Sequence, residues 1–218
     1  MSEEGTPPVA EIQLSPQTCP AFILAGGRSS RFGSDKALVE VDGQPLILAL
    51  RDALLQHGHR VSIVADHADR YRSLGLDCWV DHASNSGPLA GVATALQQRL
   101  ALGPGWGLIL SCDQLVWRGE WFEQLAAAAS DRLPCELVHF VSRESAGTSR
   151  CEPLPCLLHT RLLSKVLLRL QRHQLSLHGL FSDSAAAQVT SDVAPKQWSF
   201  NSPQELSKLN ALIAARTE

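Results

Sequence analysis

Two adjacent glycines, two arginines and a lysine share thirteen positions in Leu24-Ala-Gly-Gly-Arg-Ser-Ser-Arg-Phe-Gly-Ser-Asp-Lys36. Glycines at 26 and 27 let another group approach the backbone closely and leave their N–H groups open to an anion. Arg28, Arg31 and Lys36 add charge that matches phosphate oxygens. These residue types in this order suit a nucleoside triphosphate. A surface turn with scattered basic residues is the plainer alternative, and for a lone Gly-Gly it would be preferred. The spacing excludes two common phosphate loops. A Walker loop needs Gly-x-x-x-x-Gly-Lys followed by Ser or Thr, whereas Lys36 follows Asp35 and precedes Ala37; the Gly-x-Gly-x-x-Gly fingerprint is also absent.

A carboxylate stands at the end of a second apolar stretch, Trp106-Gly-Leu-Ile-Leu-Ser-Cys112, which runs directly into Asp113. At the carboxyl end of a central strand, facing a triphosphate loop, Asp113 is placed to hold Mg²⁺ between protein and phosphates. An aspartate after a strand also serves as a turn or helix cap. Between these two stretches lies Gly87-Pro-Leu-Ala-Gly91, a tight loop that becomes a helix, with Pro88 suited to the first turn. Small residues at 90, 91 and 93 would let a flat group lie against the backbone, or let the helix pack closely on a sheet. Asp66 ends another apolar run and could face the same crevice or sit in a solvated turn.

Taken together, Leu-Ala-Gly-Gly, Arg31-Phe-Gly-Ser-Asp-Lys36, Gly87-Pro-Leu-Ala-Gly91 after Asp81, and Asp113 resemble the molybdenum cofactor guanylyltransferases, the MobA family of nucleotidyltransferases. The resemblance touches the chain from about Phe22 to Leu206. It implies transfer of GMP from GTP to the terminal phosphate of molybdopterin, with pyrophosphate released. The roles it implies are specific. The backbone of Leu24, Ala25, Gly26 and Gly27 positions the guanosine with Asp81, and Gly87, Pro88 and Gly91 line the nucleotide. Arg31 and Lys36 bind phosphates and stabilise the leaving group, and Asp113 holds Mg²⁺. Arg31, Lys36 and Asp113 are thus the catalytic set. Asn201 takes the place of the second asparagine in the family's Asn-x-Asn-Thr-Pro stretch, on the acceptor side. The chain departs from the family at two places: Gln114-Leu115 replaces Thr or Met followed by Pro, and Ser199 replaces the first asparagine.

The elements that must position these residues follow from periodicity. Cys19 to Ala25, Arg60 to Ala65 and Trp106 to Cys112 are short apolar runs of the kind found in buried parallel strands. Pro45 to His57 carries Ile47, Leu50 and Leu54 at helical spacing, and a strand, helix, strand order makes a right-handed βαβ unit. Further helices are expected over Leu89 to Leu102, Gly119 to Ser130 and Thr160 to Gln171, with strands at Asp77 to Asp81 and Cys135 to Val141. A polar segment follows from Ser142 to Arg150. The resemblance gives Glu152 to Leu158 to the half that faces the pterin-bearing substrate. Trp198 to Asn201 reads as a short strand before a capping box of Ser202, Pro203 and Glu205. Arg169, Arg172, His173 and His178 either meet an anionic acceptor or form a solvated basic helix end. The expected fold is a single-domain three-layer α/β/α sandwich with a mostly parallel, Rossmann-like sheet and a nucleotide crevice along its strand ends.

Composition narrows the function. A length of 218 residues with 44% hydrophobic content suffices for one α/β domain, here residues 19–218 after a loose tail at 1–18 rich in proline and glutamate. A net charge of −3 without a basic cluster gives no support for nucleic acid as a partner. No signal peptide and no membrane span are evident, so a cytoplasmic protein is expected. The six cysteines lack Cys-x-x-Cys spacing; reduced core thiols are favoured over zinc ligands or disulfides. Cofactor-donor and molybdoenzyme-maturation proteins are further partners that the resemblance implies. Two other readings stay open: another nucleotidyltransferase of this fold, acting on a cytidylyl group or a sugar phosphate, and a non-catalytic relative that binds a nucleotide or cofactor.

Overall fold

The apolar runs at 21–24 and 106–111 lie side by side in the middle of one sheet, and their alternation serves both of its faces. Ile23, Leu108 and Leu110 point to one face, where they meet Leu50, Leu54, Trp121, Phe122 and Leu125. Phe22, Leu24 and Ile109 point to the other, against Leu89, Val92, Leu96, Val166, Leu180 and Phe181. A strand buried on both sides has no polar face, which is why these runs carry no hydrophobic and polar alternation.

The protein, seen here in a computed structural model, is described at residues 14–26, 35–81, 86–131, 134–143, 149–191 and 195–209. Its strands are β1 (Ala21–Leu24), β2 (Glu40–Val41), β3 (Gln44–Pro45), β4 (Val61–Ala65), β5 (Cys78–Val80), β6 (Trp106–Ser111), β7 (Leu137–Arg143), β8 (Ser149–His159) and β9 (Ala186–Thr190). Its helices are α1 (Leu46–Gln56), α2 (Pro88–Ala101), α3 (Gly119–Asp131), α4 (Leu163–Gln171) and α5 (Leu177–Ser182). Seven strands form the main sheet in the order β5-β4-β1-β6-β8-β7-β9. Only β8 runs against its neighbours; the other adjacent pairs are parallel. Helices α1 and α3 pack on one face, α2, α4 and α5 on the other, so the expected three-layer, mostly parallel sandwich is what the chain forms.

The register brings the loops to one edge. Leu24 pairs with Val64 of β4 and with Ser111 of β6. Beyond the last pairs, Ala25 N–H donates to Val64 O at 2.8 Å, Asp81 N–H to Ala65 O at 2.9 Å and Cys112 N–H to Leu24 O at 3.1 Å. The segments after β1, β5 and β6 therefore leave the sheet together.

β8 carries Pro153 and Pro155, neither of which can donate to a ladder. Its pairing with β7 jumps from His139↔Cys156 to Phe140↔Glu152, and its pairing with β6 stops at Ile109↔Cys156. The irregularity thus opens the sheet beside the end of β6.

Several details differ from the sequence reading, among them β8, a strand of 11 residues where none is expected. Pro45 stands outside α1 and pairs with Glu40 across a hairpin whose turn uses Asp42 and Gly43 at φ 49° and 80°, values that asparagine-like and glycine residues tolerate. No element is expected at α5 or β9; β9 forms the far edge of the sheet, and Ser176 caps α5 through Gly179 N–H at 3.2 Å. The strand expected at 198–201 is instead a 3₁₀ turn over Pro195–Trp198 followed by a single bridge at Ser199. Of the expected tail, residues 1–13 lie outside the described residues, and Leu14 packs against the α3 side of the core. All six cysteines are free thiols, with Cys19, Cys135 and Cys156 buried.

Candidate functional site

Lys36 opens the 3₁₀ turn Lys36–Leu38, and its ammonium is the meeting point of three segments. Nζ donates to Asp113 Oδ2 at 3.2 Å, to Phe200 O at 3.0 Å and to Asn201 Oδ1 at 3.0 Å. An ammonium has three N–H groups, and here each has an acceptor. The side chains of Lys36 and Asp113 are 14% and 19% exposed, enough to be reached by a small anion. The Phe200 ring lies 5.8 Å from Nζ.

The turn is held by its neighbours. Asp35 Oδ1 accepts from Ala37 N–H at 3.1 Å, as a capping aspartate does. Its other oxygen, Oδ2, takes Arg70 Nε at 3.0 Å, Arg70 Nη2 at 2.8 Å and Tyr71 O–H at 3.1 Å. Tyr71 also lies within 3.1 Å of Ala25 O, so one buried phenol touches both ends of the glycine loop. Burial raises the Tyr71 hydroxyl well above its ordinary value, and the Asp35 charge raises it further, so it stays a donor. Arg70 reaches on to Asp66. Burial alone would push the Asp66 carboxyl up, but the Arg70 hydrogen bond and charge hold it below the ordinary value. Asp66 is therefore an exposed partner of Arg70 at the edge of the site.

On the other flank, Asp81 leaves β5 between two glycines. A methyl group built on Gly26 would meet Asp81 Oδ2 at 3.0 Å; one built on Gly91 would meet Asp81 Oδ1 at 3.3 Å and Leu24 Cδ2 at 3.1 Å. A side chain at either glycine would push these neighbours back by a few tenths of an ångström, and Gly91 sits in the first turn of α2, which Gly87 enters at φ 63° before Pro88. Leu24 and Ala25 are buried, with Leu24 O, Ala25 N–H and Ala25 O in hydrogen bonds within the protein, whereas Gly26 is exposed.

Of the residues singled out in sequence, Lys36, Asp113 and Asn201 are thus brought to one point. Leu24, Ala25, Gly26, Asp81, Gly87, Pro88 and Gly91 gather on the neighbouring flank. Gly27, Arg28 and Arg31 lie outside the described residues. Arg169 pairs with Asp183 beside α4 rather than with this site. Asp35, Arg70 and Tyr71 went unread because no spacing links them; Asp35 as a capping residue before Lys36 was the one available signal. No group of three or more His, Cys, Asp or Glu able to hold a metal is present among the described residues. A cleft of about 510 Å³ between Leu14, His57, Phe122 and Ala126 lies apart from all of these residues.

Known proteins resemble this chain in sequence and fold. The family model of the MobA-like NTP transferase domain matches residues 21–187. A molybdenum cofactor guanylyltransferase of Polynucleobacter asymbioticus is 30% identical over 203 residues, which is 92% of this chain and 100% of that protein. A probable molybdenum cofactor guanylyltransferase of Trichormus variabilis is 36% identical over 150 residues, 68% of this chain and 69% of that one. The crystal structure of molybdopterin-guanine dinucleotide biosynthesis protein A from Archaeoglobus fulgidus superposes with a TM-score of 0.74 at 14% identity, covering 90% of this chain and 99% of that chain, a likeness of fold.

Proposed function

The chain belongs to the MobA-like NTP transferase family, and from that premise we propose that it transfers GMP from GTP to the terminal phosphate of molybdopterin. A phosphate oxygen of the acceptor attacks the α-phosphorus of GTP, the bond to the β-phosphate breaks, and pyrophosphate leaves with the electron pair. The attacking oxygen is already ionised. The protein's work is therefore alignment and neutralisation of charge, with no general base required.

The observation that carries this reading is the convergence of Lys36, Asp113 and Asn201 at 3.0–3.2 Å on the edge where the strands end. Lys36 and Arg31 contact the phosphates and stabilise the departing pyrophosphate. The backbone of Leu24 to Gly27, with Asp81, positions the guanosine; Gly87, Pro88 and Gly91 give it a close surface. Asn201 faces the acceptor. A phosphate bound at Lys36 would take the place of at least one of its three present acceptors.

A single carboxylate fits Mg²⁺ in this setting, because that ion is commonly bound by one or two carboxylates together with substrate phosphates. Asp113 would hold it, and when bound it would neutralise developing charge on the phosphates. The same reading implies cofactor-donor and molybdoenzyme-maturation proteins as partners and the cytoplasm as the place of action. Among the described residues, no helix is long and apolar enough to cross a membrane.

Titration calorimetry with GTP, CTP, ATP and UTP, each with and without Mg²⁺, tests the proposal. Tight Mg²⁺-dependent preference for GTP, followed by release of pyrophosphate when molybdopterin is added, is the expected result. Preference for CTP would transfer the reading to a cytidylyl group. Absence of binding to all four would leave a non-catalytic relative.

A further inference from the structure

Gln114 and Ser199, the two places where the sequence departs from the resembled family, are the two halves of one antiparallel bridge. Gln114 follows Asp113 directly and is 3% exposed. Its side-chain Nε2 donates to Val116 O at 3.1 Å and to Pro195 O at 2.9 Å, which uses both amide N–H groups. Leu115 N–H donates to Trp198 O at 2.7 Å. One buried amide and two backbone contacts thus fasten residues 195–199 across the end of β6.

The same segment is held at both of its ends by charge. Lys196 Nζ lies 3.3 Å from Oε2 of Glu152, a buried carboxylate of β8 whose Oε1 accepts from Ser142 Oγ at 2.8 Å. At the other end stand Phe200 O and Asn201 Oδ1 on Lys36 Nζ. Ser199 adds local stiffness, its N–H and its Oγ reaching Lys196 O at 3.2 and 3.1 Å. Between these ends, the Gln114 amide ties the segment to the turn carrying Asp113 by a hydrogen bond, and the Arg118 guanidinium lies 5.5 Å from the Trp198 ring.

We propose that Gln114 is a positioning residue for the acceptor side of the site: through Pro195 and Ser199 it sets where Asn201 and the Phe200 carbonyl stand relative to Lys36. This rests on the acceptor role given above to Asn201. Gln114 itself touches neither reacting group. A loss of its amide should therefore act on the acceptor and leave GTP largely unaffected, whereas a residue that only supported the fold would weaken both.

Gln114→Met keeps the length of the side chain and removes both donors. With molybdopterin as acceptor, its KM should rise about 10-fold, the effect of one or two lost hydrogen bonds, while the GTP dissociation constant changes less than about 2-fold. In an Asn201→Ala background the same substitution should add less than about 2-fold, because the residue it positions is gone. A second readout needs no turnover: acetic anhydride should acetylate Lys36 about 5-fold faster once Phe200 and Asn201 no longer hold its ammonium. If Gln114→Met fails to fold, Gln114→Asn, one methylene too short to reach Pro195, is read in the same way. An unchanged acceptor KM and unchanged Lys36 labelling in a folded variant would overturn the inference, as would equal losses for GTP and acceptor. Absence of turnover in the unsubstituted protein would instead refute the guanylyl reading, and the labelling would still decide whether Gln114 governs the contacts of Lys36.

Discussion

Arg70 donates two N–H groups to a single oxygen of Asp35, at 3.0 and 2.8 Å, while the other oxygen of Asp35 caps the turn that begins with Lys36. The segment after β4 thereby fixes the residue that precedes the proposed phosphate-binding lysine. Both side chains are only 18% exposed, so water substitutes poorly for either partner. Asp35→Ala should cost about 2 kcal/mol of stability, the scale of hydrogen bonds to a charged group. Asp35→Asn keeps an oxygen for the cap but turns an amide N–H group toward the two Arg70 donors, so it should cost about as much. Urea unfolding of the two variants measures this, and equal stability of all three proteins would show that the cap and ion pair contribute nothing.

Lys36→Ala should lower turnover about 10²-fold or more, as loss of one preorganised electrostatic group does. Lys36→Arg should not restore it. The acceptors converge from Asp113, Phe200 and Asn201 on one nitrogen, and a flat guanidinium fork cannot aim donors at all of them from one point. The measurement is kcat/KM for GTP in variants whose folding is verified. Turnover within a few-fold of the unsubstituted enzyme would remove Lys36 from the catalytic set.

Gly91→Ala separates stability from binding. A helix gains about 1 kcal/mol when alanine replaces glycine. Against this, the new methyl group would lie 3.1 Å from Leu24 Cδ2 and 3.3 Å from Asp81 Oδ1, so both must shift by a few tenths of an ångström. The expected net stability change is within about 1 kcal/mol, since the two effects oppose. GTP affinity should nevertheless fall about 10-fold, because the displaced carboxylate is the one proposed to position the guanosine. Calorimetry with an unchanged dissociation constant would take Asp81 out of the nucleotide site.

The centre of the sheet was legible because burial on both faces writes itself as largely apolar runs at 21–24, 61–65 and 106–111. α5 and β9 were not, being six and five residues long without a clear period. Trp198-Ser-Phe alternates as a strand does, yet the backbone there is set by groups distant in sequence: the Glu152 carboxylate, the Gln114 amide and the Lys36 ammonium. The site divides in the same way. Lys36, Asp113 and Asn201 could each be singled out by type and setting, but a contact spanning 77 or 165 positions has no spacing to reveal it. Asp35, Arg70 and Tyr71 are ordinary residues one by one, and only the fold makes them a support.

Acid should unfold this protein through its histidines, and His159 gives the sharpest test. Burial, then the charges of Arg161 and Arg99, push its imidazole from the ordinary 6.5 down to about 4. In the fold Nδ1 accepts from Arg161 N–H at 3.1 Å, a bond that protonation would break. Between about pH 6.5 and 4 the unfolded chain therefore binds a proton that the native state refuses. Stability is fully present above 6.5, and it declines as the pH falls through that window. His59 and His139, both lowered chiefly by burial, act with the same sign. His159→Asn retains an oxygen that can accept from Arg161 N–H but cannot titrate. Unfolding free energies from urea titrations across the window should lose close to one proton of linkage in that variant. An unchanged pH slope would show that His159 is already protonated in the native protein.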